Sequence, residues 1–219
     1  DNQKRVKDYL TKTLSSSRHL LALINDILDM SRIESGKLQL EETEVNLPEM
    51  LHDIKTIVSG QIHAKQLELY MDALDVTDED VYCDRTRMGQ ILHNLLSNAI
   101  KFTPAGGTVS VRVRQFAGTV RDCAQYEFRV RDNGIGMSPE FAQKIFEPFE
   151  RERTSTVSRI QGTGLGMAIT RNIVEMMGGT IKVQTEKNRG TEFIICLPLR
   201  VQAGTRREEK IAGLAGLKA

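Results

Sequence analysis

The sequence predicts an α+β fold preceded by one long bundle helix, and three patterns carry that prediction. Residues 2–36 hold an unbroken helical pattern in which Leu10, Leu14, Ser17, Leu21, Ile24, Leu28 and Ser31 follow at spacings of 4, 3, 4, 3, 4 and 3. That alternation averages 3.5 residues and lays an apolar seam along one side of a helix. Three later stretches carry apolar residues at helical period. The alternating, strand-like stretches between them fall largely in pairs instead of in regular βαβ units, which separates α+β from a doubly wound sheet.

Taken in order, the first helix has Val6, Leu20 and Ile27 widening its seam, and Ser35-Gly36 supplies the left-handed stop expected past a helix end. About 50 Å of amphipathic rod outruns a small domain, so the seam is read as one side of a bundle that needs a partner helix. A helix packed on its own domain fits the same residues less well. Leu38, Leu40 and Val45 alternate like a short strand, and Asn46-Leu-Pro-Glu reads as a capped helix start with proline near the first helical position. That helix runs to about Ala64, and a strand follows over 67–71. Asp84 is positioned to cap a helix that holds Met88, Ile91, Leu92, Leu95, Leu96, Ala99 and Ile100 on one face. Strands are expected at 108–114 and 126–131 around a loop at 117–124, then a short helix through Phe141 and Ile145. A polar stretch, 150–161, lacks periodicity and reads as a loop. A helix over 165–177 ends at Gly178-Gly179, and strands at 181–185 and 192–197 close the domain at Pro198. Residues 201–219 are charged and Gly/Ala-rich and read as a linker. The expected organisation is therefore 1–36, 37–200 and 201–219.

Composition narrows the function. The 219 residues carry 30 basic and 29 acidic side chains, a formal charge of +1. That balance argues against nucleic-acid binding through a broad basic face and leaves room for a local phosphate pocket. No apolar run reaches the length that spans a bilayer, and residues 1–10 do not resemble a signal peptide, so no membrane contact and a cytoplasmic location are expected. Cys83, Cys123 and Cys196 are far apart, without zinc spacing, and read as thiols in a reducing compartment.

Three clusters can support chemistry. In the first, Asn94 and Asn98 are four apart on one helix face, with Lys101 three residues on and Phe102 and Thr103 following. Two amide oxygens and an ammonium suit a magnesium-bound polyphosphate, since magnesium takes hard oxygen ligands and leans on the phosphates themselves. A solvated helix face fits the same spacing. The second cluster, Asp132-Asn-Gly134-Ile135-Gly136-Met137, follows a strand; its glycines let a flat ligand approach the backbone. An ionised Asp132 only accepts hydrogen bonds, so it suits the amine of adenine and not the carbonyl of guanine. A plain Asp-Asn-Gly turn is the simpler alternative. The third, Gly162-Thr163-Gly164-Leu165-Gly166-Met167, opens a helix, where exposed amides bind phosphate. It is not a dinucleotide fingerprint, because methionine occupies position 167 and no strand precedes it. The Walker pattern is absent from the sequence.

In this order the clusters resemble the sensor histidine kinases, members of the wider ATPase superfamily of gyrase B, Hsp90 and MutL. NLLSNAIKFT at 94–103 resembles the asparagine box, DNGIGM at 132–137 and GTGLGM at 162–167 the two glycine boxes, and FEPFE at 146–150 the phenylalanine box. Residues 19–37 are similar to the second helix of the dimerisation and phosphotransfer domain, and Gly190-Thr191-Glu192-Phe193 fits the last strand pair. The resemblance covers nearly 5–200. It implies a two-layer α/β sandwich with a mixed, mostly antiparallel sheet against helices. It also implies ATP and Mg²⁺ as cofactors, with Asn98 on the metal and Asn94 and Lys101 on the phosphates as catalytic groups. Phe102, Asp132, Gly134, Gly136 and Met137 would form the adenine site, and Ile135 and Thr191 are further ATP-binding residues. Gly162, Gly164 and Gly166 would hinge a lid at 150–161 and meet the phosphates, Leu165 would start the following helix, and Thr163 and Leu165 complete the ATP-binding set. Arg151, Arg153 and Arg159 are candidates for the γ-phosphate, and Phe146 and Phe149 are expected to anchor the lid by packing.

The implied reaction is transfer of the γ-phosphoryl group to a histidine on a dimerisation helix. None of His19, His52, His63 and His93 is followed by the acceptor pattern, so that helix is expected to lie outside the chain, and self-phosphorylation in isolation is not expected. The implied partners are a second copy, through the first helix, and a response regulator receiver domain. Residues 213–219 resemble the entry to such a domain, as in a hybrid kinase. A degenerate module used for binding, or a slow ATPase, are the rival readings. Intact Asn98, Asp132 and box glycines weigh against the first. The second would want a general-base Glu, where His93, Asn94 and Ser97 stand.

Overall fold

The computed structural model describes residues 2–118, 122–152 and 162–201. Most of the expected lid (153–161, with Arg153 and Arg159), the centre of the 117–124 loop, the linker and the receiver-like 213–219 lie outside the described residues, as does the side chain of His19. Five helices and seven strands are described: α1 (Asn2–Glu34), β1 (Thr43–Asn46), α2 (Leu47–Ala64), β2 (Glu68–Asp75), β3 (Asp80–Cys83), α3 (Arg85–Phe102), β4 (Thr108–Ala117), β5 (Cys123–Asp132), α4 (Pro139–Ala142), α5 (Gly166–Met176), β6 (Thr180–Glu186) and β7 (Gly190–Val201).

The strands form one sheet in the order β1-β3-β7-β5-β4-β2, with β6 also pairing β7. Only β2 and β4 run parallel; the other pairs are antiparallel. Alternation along β4 and β5 puts Val109, Val111, Val113, Tyr126, Phe128 and Val130 on the face beneath the helices. That face meets Ile54 and Val58 of α2, Leu92, Leu95 and Leu96 of α3, and Ile169 and Ile173 of α5 in one core. On the other face Arg112–Asp72, Arg114–Asp75 and Arg129–Glu127 pair in or near solvent.

Local chemistry fixes where the helices start. Asn46 Oδ1 accepts from Glu49 N at 3.0 Å and its Nδ2 donates to Asp80 Oδ1 at 2.8 Å, so one side chain caps α2 and ties it to β3. Asp84 caps α3 through Arg87 N at 2.9 Å and takes Glu41 N at 3.1 Å with its other oxygen. Gly36 closes α1 at φ +64°, with Lys37 N donating back to Arg32 O.

Several boundaries differ from the sequence reading: α4 stops at Ala142, short of Ile145, and β5 begins at Cys123, inside the expected 117–124 loop. Leu38 and Leu40 are outside the sheet, and β1 begins at Thr43. The β3 strand was not expected: four residues under an acidic run carry too little alternation to show it. The last strand passes through Pro198 to Val201. One edge of β7 pairs β6 as far as Cys196 and β3 from Arg200, so the proline, which lacks a donor, sits between those partners while its other edge pairs β5.

The N-terminal helix α1 meets the domain near its C-terminal end. Met30 and Ile33 pack on the core, and Asp29 accepts from Gln90 Nε2 at 2.8 Å and Arg87 Nη1 at 3.4 Å. Along its length Val6, Leu10, Leu14, Leu20, Leu21, Ile24, Ile27 and Leu28 are 46–65% exposed. No described helix is long and apolar enough to cross a membrane.

Candidate functional site

A cleft of about 280 Å³ opens between α3, the start of α5 and the segment after β5. Of the residues named from sequence, Asn94, Asn98, Lys101, Phe102, Asp132, Ile135, Gly136, Met137, Gly162, Thr163, Gly164, Gly166 and Thr191 line it. Gly134 and Leu165 do not. Gly134 instead donates its N–H to Asp132 Oδ1 at 2.8 Å and packs so tightly that a Cβ would stand 2.5 Å from Phe102 O. Leu165 is buried in the core and precedes α5.

The inner end of the cleft belongs to the sheet. Asp132 ends β5, is 7% exposed, and lies opposite Thr191 of β7. Burial pushes its carboxyl up to about 6, against the pull of the backbone N–H groups of Gly134 and Thr191. After it the chain turns at Gly136, whose φ is +60° and whose Cβ would fall 2.0 Å from Glu186 O; only glycine fits there. Asn188 N donates to Ile135 O at 2.7 Å, and Thr185 Oγ1 accepts from Met137 N at 3.0 Å. The β6–β7 turn therefore holds the 134–137 segment flat against the cleft.

The outer end is made by helices. Asn94 Nδ2 donates to Gly166 O and to Thr170 Oγ1, both at 3.2 Å, which staples α3 to the first turn of α5. Asn98 Nδ2 meets the Met167 sulfur at 3.1 Å. Lys101 Nζ sits 4.9 Å from the Phe102 ring centroid. Burial, and then the charge of Arg151, push its pKa down from the usual lysine value. Side chains cap α2, α3 and α4 through Asn46, Asp84 and Ser138, whereas among the described residues no side chain caps α5, whose first turn borders the cleft at Gly166 and Met167.

Two groups at or behind the cleft, Asp26 and Thr185, were not reached from sequence. Asp26 of α1 enters the cleft and accepts from Thr163 Oγ1 at 2.8 Å; burial raises its pKa, Thr163 opposes that, and Asp29 adds to it. Nothing in a helical seam announces a contact 137 residues away. Thr185 shares a face of β6 with Ile181 and Val183, and a hydroxyl in that apolar row was a readable signal. Phe146 packs edge-on to Phe193 at 6.3 Å, as expected of an anchor. Phe149 does not pack: it is 68% exposed at φ +65°, and its backbone N donates to Gly164 O at 3.0 Å.

Residues 83–201 match the family model for the histidine kinase-, DNA gyrase B-, and HSP90-like ATPase. The sensor protein GacS of Pseudomonas syringae pv. syringae is 39% identical over 212 residues, 97% of this chain and 23% of that protein. The chain thus spans about a quarter (23%) of the length of that curated relative. Among solved structures, full-length ShkA in complex with AMPPNP superposes with a TM-score of 0.75 at 29% identity, over 92% of this chain and 40% of that one. The histidine kinase ThkA in complex with the response regulator TrrA gives a TM-score of 0.61 at 26% identity, over 85% of this chain and 48% of that one.

Proposed function

The chain belongs to the histidine kinase-, DNA gyrase B-, and HSP90-like ATPase family, and from that premise we propose that it is the ATP-binding catalytic part of a cytoplasmic two-component sensor histidine kinase, handing the γ-phosphoryl group of ATP to a histidine on a dimerisation helix. The observation that carries this is the meeting of one buried acceptor, Asp132, with two asparagine amides, a lysine and an uncapped helix start around a single cleft.

In this reading Asp132 accepts from the adenine amine, and the 134–137 segment makes the floor on which the base lies. Lys101 and the α5 amides receive the triphosphate, where charge-assisted bonds in a half-buried setting are strong. The asparagines fit magnesium: their amide nitrogens are engaged by Gly166, Thr170 and Met167, which leaves hard amide oxygens for a ligand. Among the described residues no cluster of three His, Cys, Asp or Glu side chains offers a rival metal site. We assign Asn98, assisted by Asn94, to hold Mg²⁺ on the phosphates. When bound, the ion neutralises phosphate charge as the phosphoryl group leaves. The chain's own part is positioning, since transfer passes in line to the histidine nitrogen and gains most from aligned reactants.

The 1–36, 37–200 and 201–219 division follows from the same reading, with α1 as the second helix of a dimerisation bundle. Its exposed seam is the surface we assign to a second copy, and a response regulator receiver domain is the onward partner. The test mixes this chain with labelled ATP, Mg²⁺ and a purified acceptor-helix segment. Acid-labile, base-stable label on the acceptor histidine is expected. Tight ATP binding with no label transferred would reduce the chain to a binding module.

A further inference from the structure

Thr185 of β6 joins three groups at one hydroxyl. Its Oγ1 lies 3.0 Å from Met137 N, 3.0 Å from Gly190 O and 3.0 Å from Thr191 Oγ1. A hydroxyl has one proton to give and two lone pairs to receive. The Met137 N–H can only donate and the Gly190 carbonyl can only accept. Two oxygens at 3.0 Å need a proton between them, so Thr185 gives its own to Gly190 O. One Thr185 lone pair is then filled by Met137, and the other takes the proton of Thr191.

The direction of that last bond matters because Thr191 lines the cleft beside Asp132. With its proton committed to Thr185, the Thr191 hydroxyl has only lone pairs to offer the cleft. We propose that Thr185 is a specificity-positioning residue: by holding the Thr191 proton turned away, it keeps that hydroxyl an acceptor and makes the base end select a 6-amino purine over a 6-oxo purine. An amine meets two acceptors, Asp132 and Thr191, and satisfies both. A 6-oxo group meets the same two as a third acceptor and is rejected, and leaving polar groups mispaired in a buried site is what discriminates most sharply. Without the Thr185 hydroxyl, Thr191 is free to rotate and donate, and the penalty on the oxo base shrinks. The proposal rests on the nucleotide reading of the cleft.

The experiment measures affinity for ATP and inosine triphosphate, with Mg²⁺, on the full chain and on Thr185→Val and Thr185→Ser, with melting recorded for each. The unaltered chain is expected to bind ATP and prefer it. Thr185→Val is expected to narrow the ATP-to-inosine preference about tenfold, the scale of one hydrogen bond, and Thr185→Ser to keep it. A purely structural role would weaken both nucleotides together and leave their ratio alone, which overturns the proposal. Loss of the ratio in a folded Thr185→Ser also overturns it, and that arm stands if the valine variant does not fold. Failure of the unaltered chain to bind ATP removes the nucleotide reading and this assignment with it. Binding with a ratio insensitive to Thr185→Val removes this assignment alone.

Discussion

At the end of the cleft that we assign to the base, Asp132, Gly134, Met137, Thr185, Gly190 and Thr191 bond to one another across β5, β6 and β7, so the shape exists before any ligand arrives. At the end we assign to the phosphates the donors and acceptors sit on α3, α5 and the segment just before α5 and lean on partners outside the sheet: a methionine sulfur for Asn98, and the α1 carboxylate Asp26 for Thr163. Sheet register builds the first end, whereas the second depends on how separate helices meet. The difference predicts that the base end is intolerant and preformed, while the phosphate end is yielding and open to influence from α1.

The largest effect should separate two glycines. At Gly136 a methyl group meets the Glu186 carbonyl at 2.0 Å on a backbone with φ +60°. Strain and overpacking together predict a loss of about 3–5 kcal/mol for Gly136→Ala. At Gly162 the same methyl meets only the tip of Lys101, at 2.8 Å, which can swing aside. Gly162→Ala should lose less than about 0.5 kcal/mol of stability. Urea unfolding of both variants is the check, and equal losses would erase the contrast between the two ends.

Asp132 tests whether the base end carries the strain of its own preformation. Its carboxyl titrates near 6 in the fold against an ordinary value of 3.8, so the folded chain holds the proton more tightly than the unfolded one. Stability of the ligand-free protein should therefore fall as pH rises from about 4 through about 6, by up to about 3 kcal/mol, and level off above. Asp132→Asn should flatten that slope, measured by denaturation at pH 4.5 and 7.5. The adenine amine favours the ionised carboxylate, so adenosine should bind more tightly as pH rises through 6, and Asp132→Asn should weaken it by at least about 1 kcal/mol. Unchanged calorimetric affinity in that variant would take Asp132 out of the base site.

The same contrast explains what the sequence disclosed. Caps are local chemistry, and Asn46 and Asp84 start α2 and α3 where their side chains said they would. The glycine segments were legible because a backbone that must approach a ligand or another chain leaves no side-chain choice, as Gly136 demonstrates. The four-residue β3 was hidden because its pairing with β7 is a distant event that its own residues barely encode. Phe149 misled, since an aromatic beside Pro148 suggests packing while the glycine-like φ it adopts turns the ring outward. Asp26 acts through a partner far along the chain, which pattern reading along one element does not reach, whereas Thr185 left a trace as a hydroxyl in the apolar row of β6.

The smallest effect probes the phosphate end through α1. Asp26 shares the cleft with Asn94, Gly162 and Thr163 and is partly buried there, so its charge opposes a triphosphate while its hydrogen bond holds Thr163. Asp26→Asn keeps an acceptor for Thr163 and removes the charge. Screening by water in a half-open cleft limits the gain, and ATP affinity should rise about two- to fivefold, below 1 kcal/mol. Adenosine, which reaches only the base end, should bind unchanged, and the ATP gain should shrink as salt is raised from low to physiological strength. Equal gains for adenosine and ATP would mean that Asp26 acts on the whole cleft by moving α1, in place of acting locally on the phosphates. A gain confined to ATP would mean that the Asp26 charge acts locally at the outer end of the cleft while the sheet-built end stays fixed.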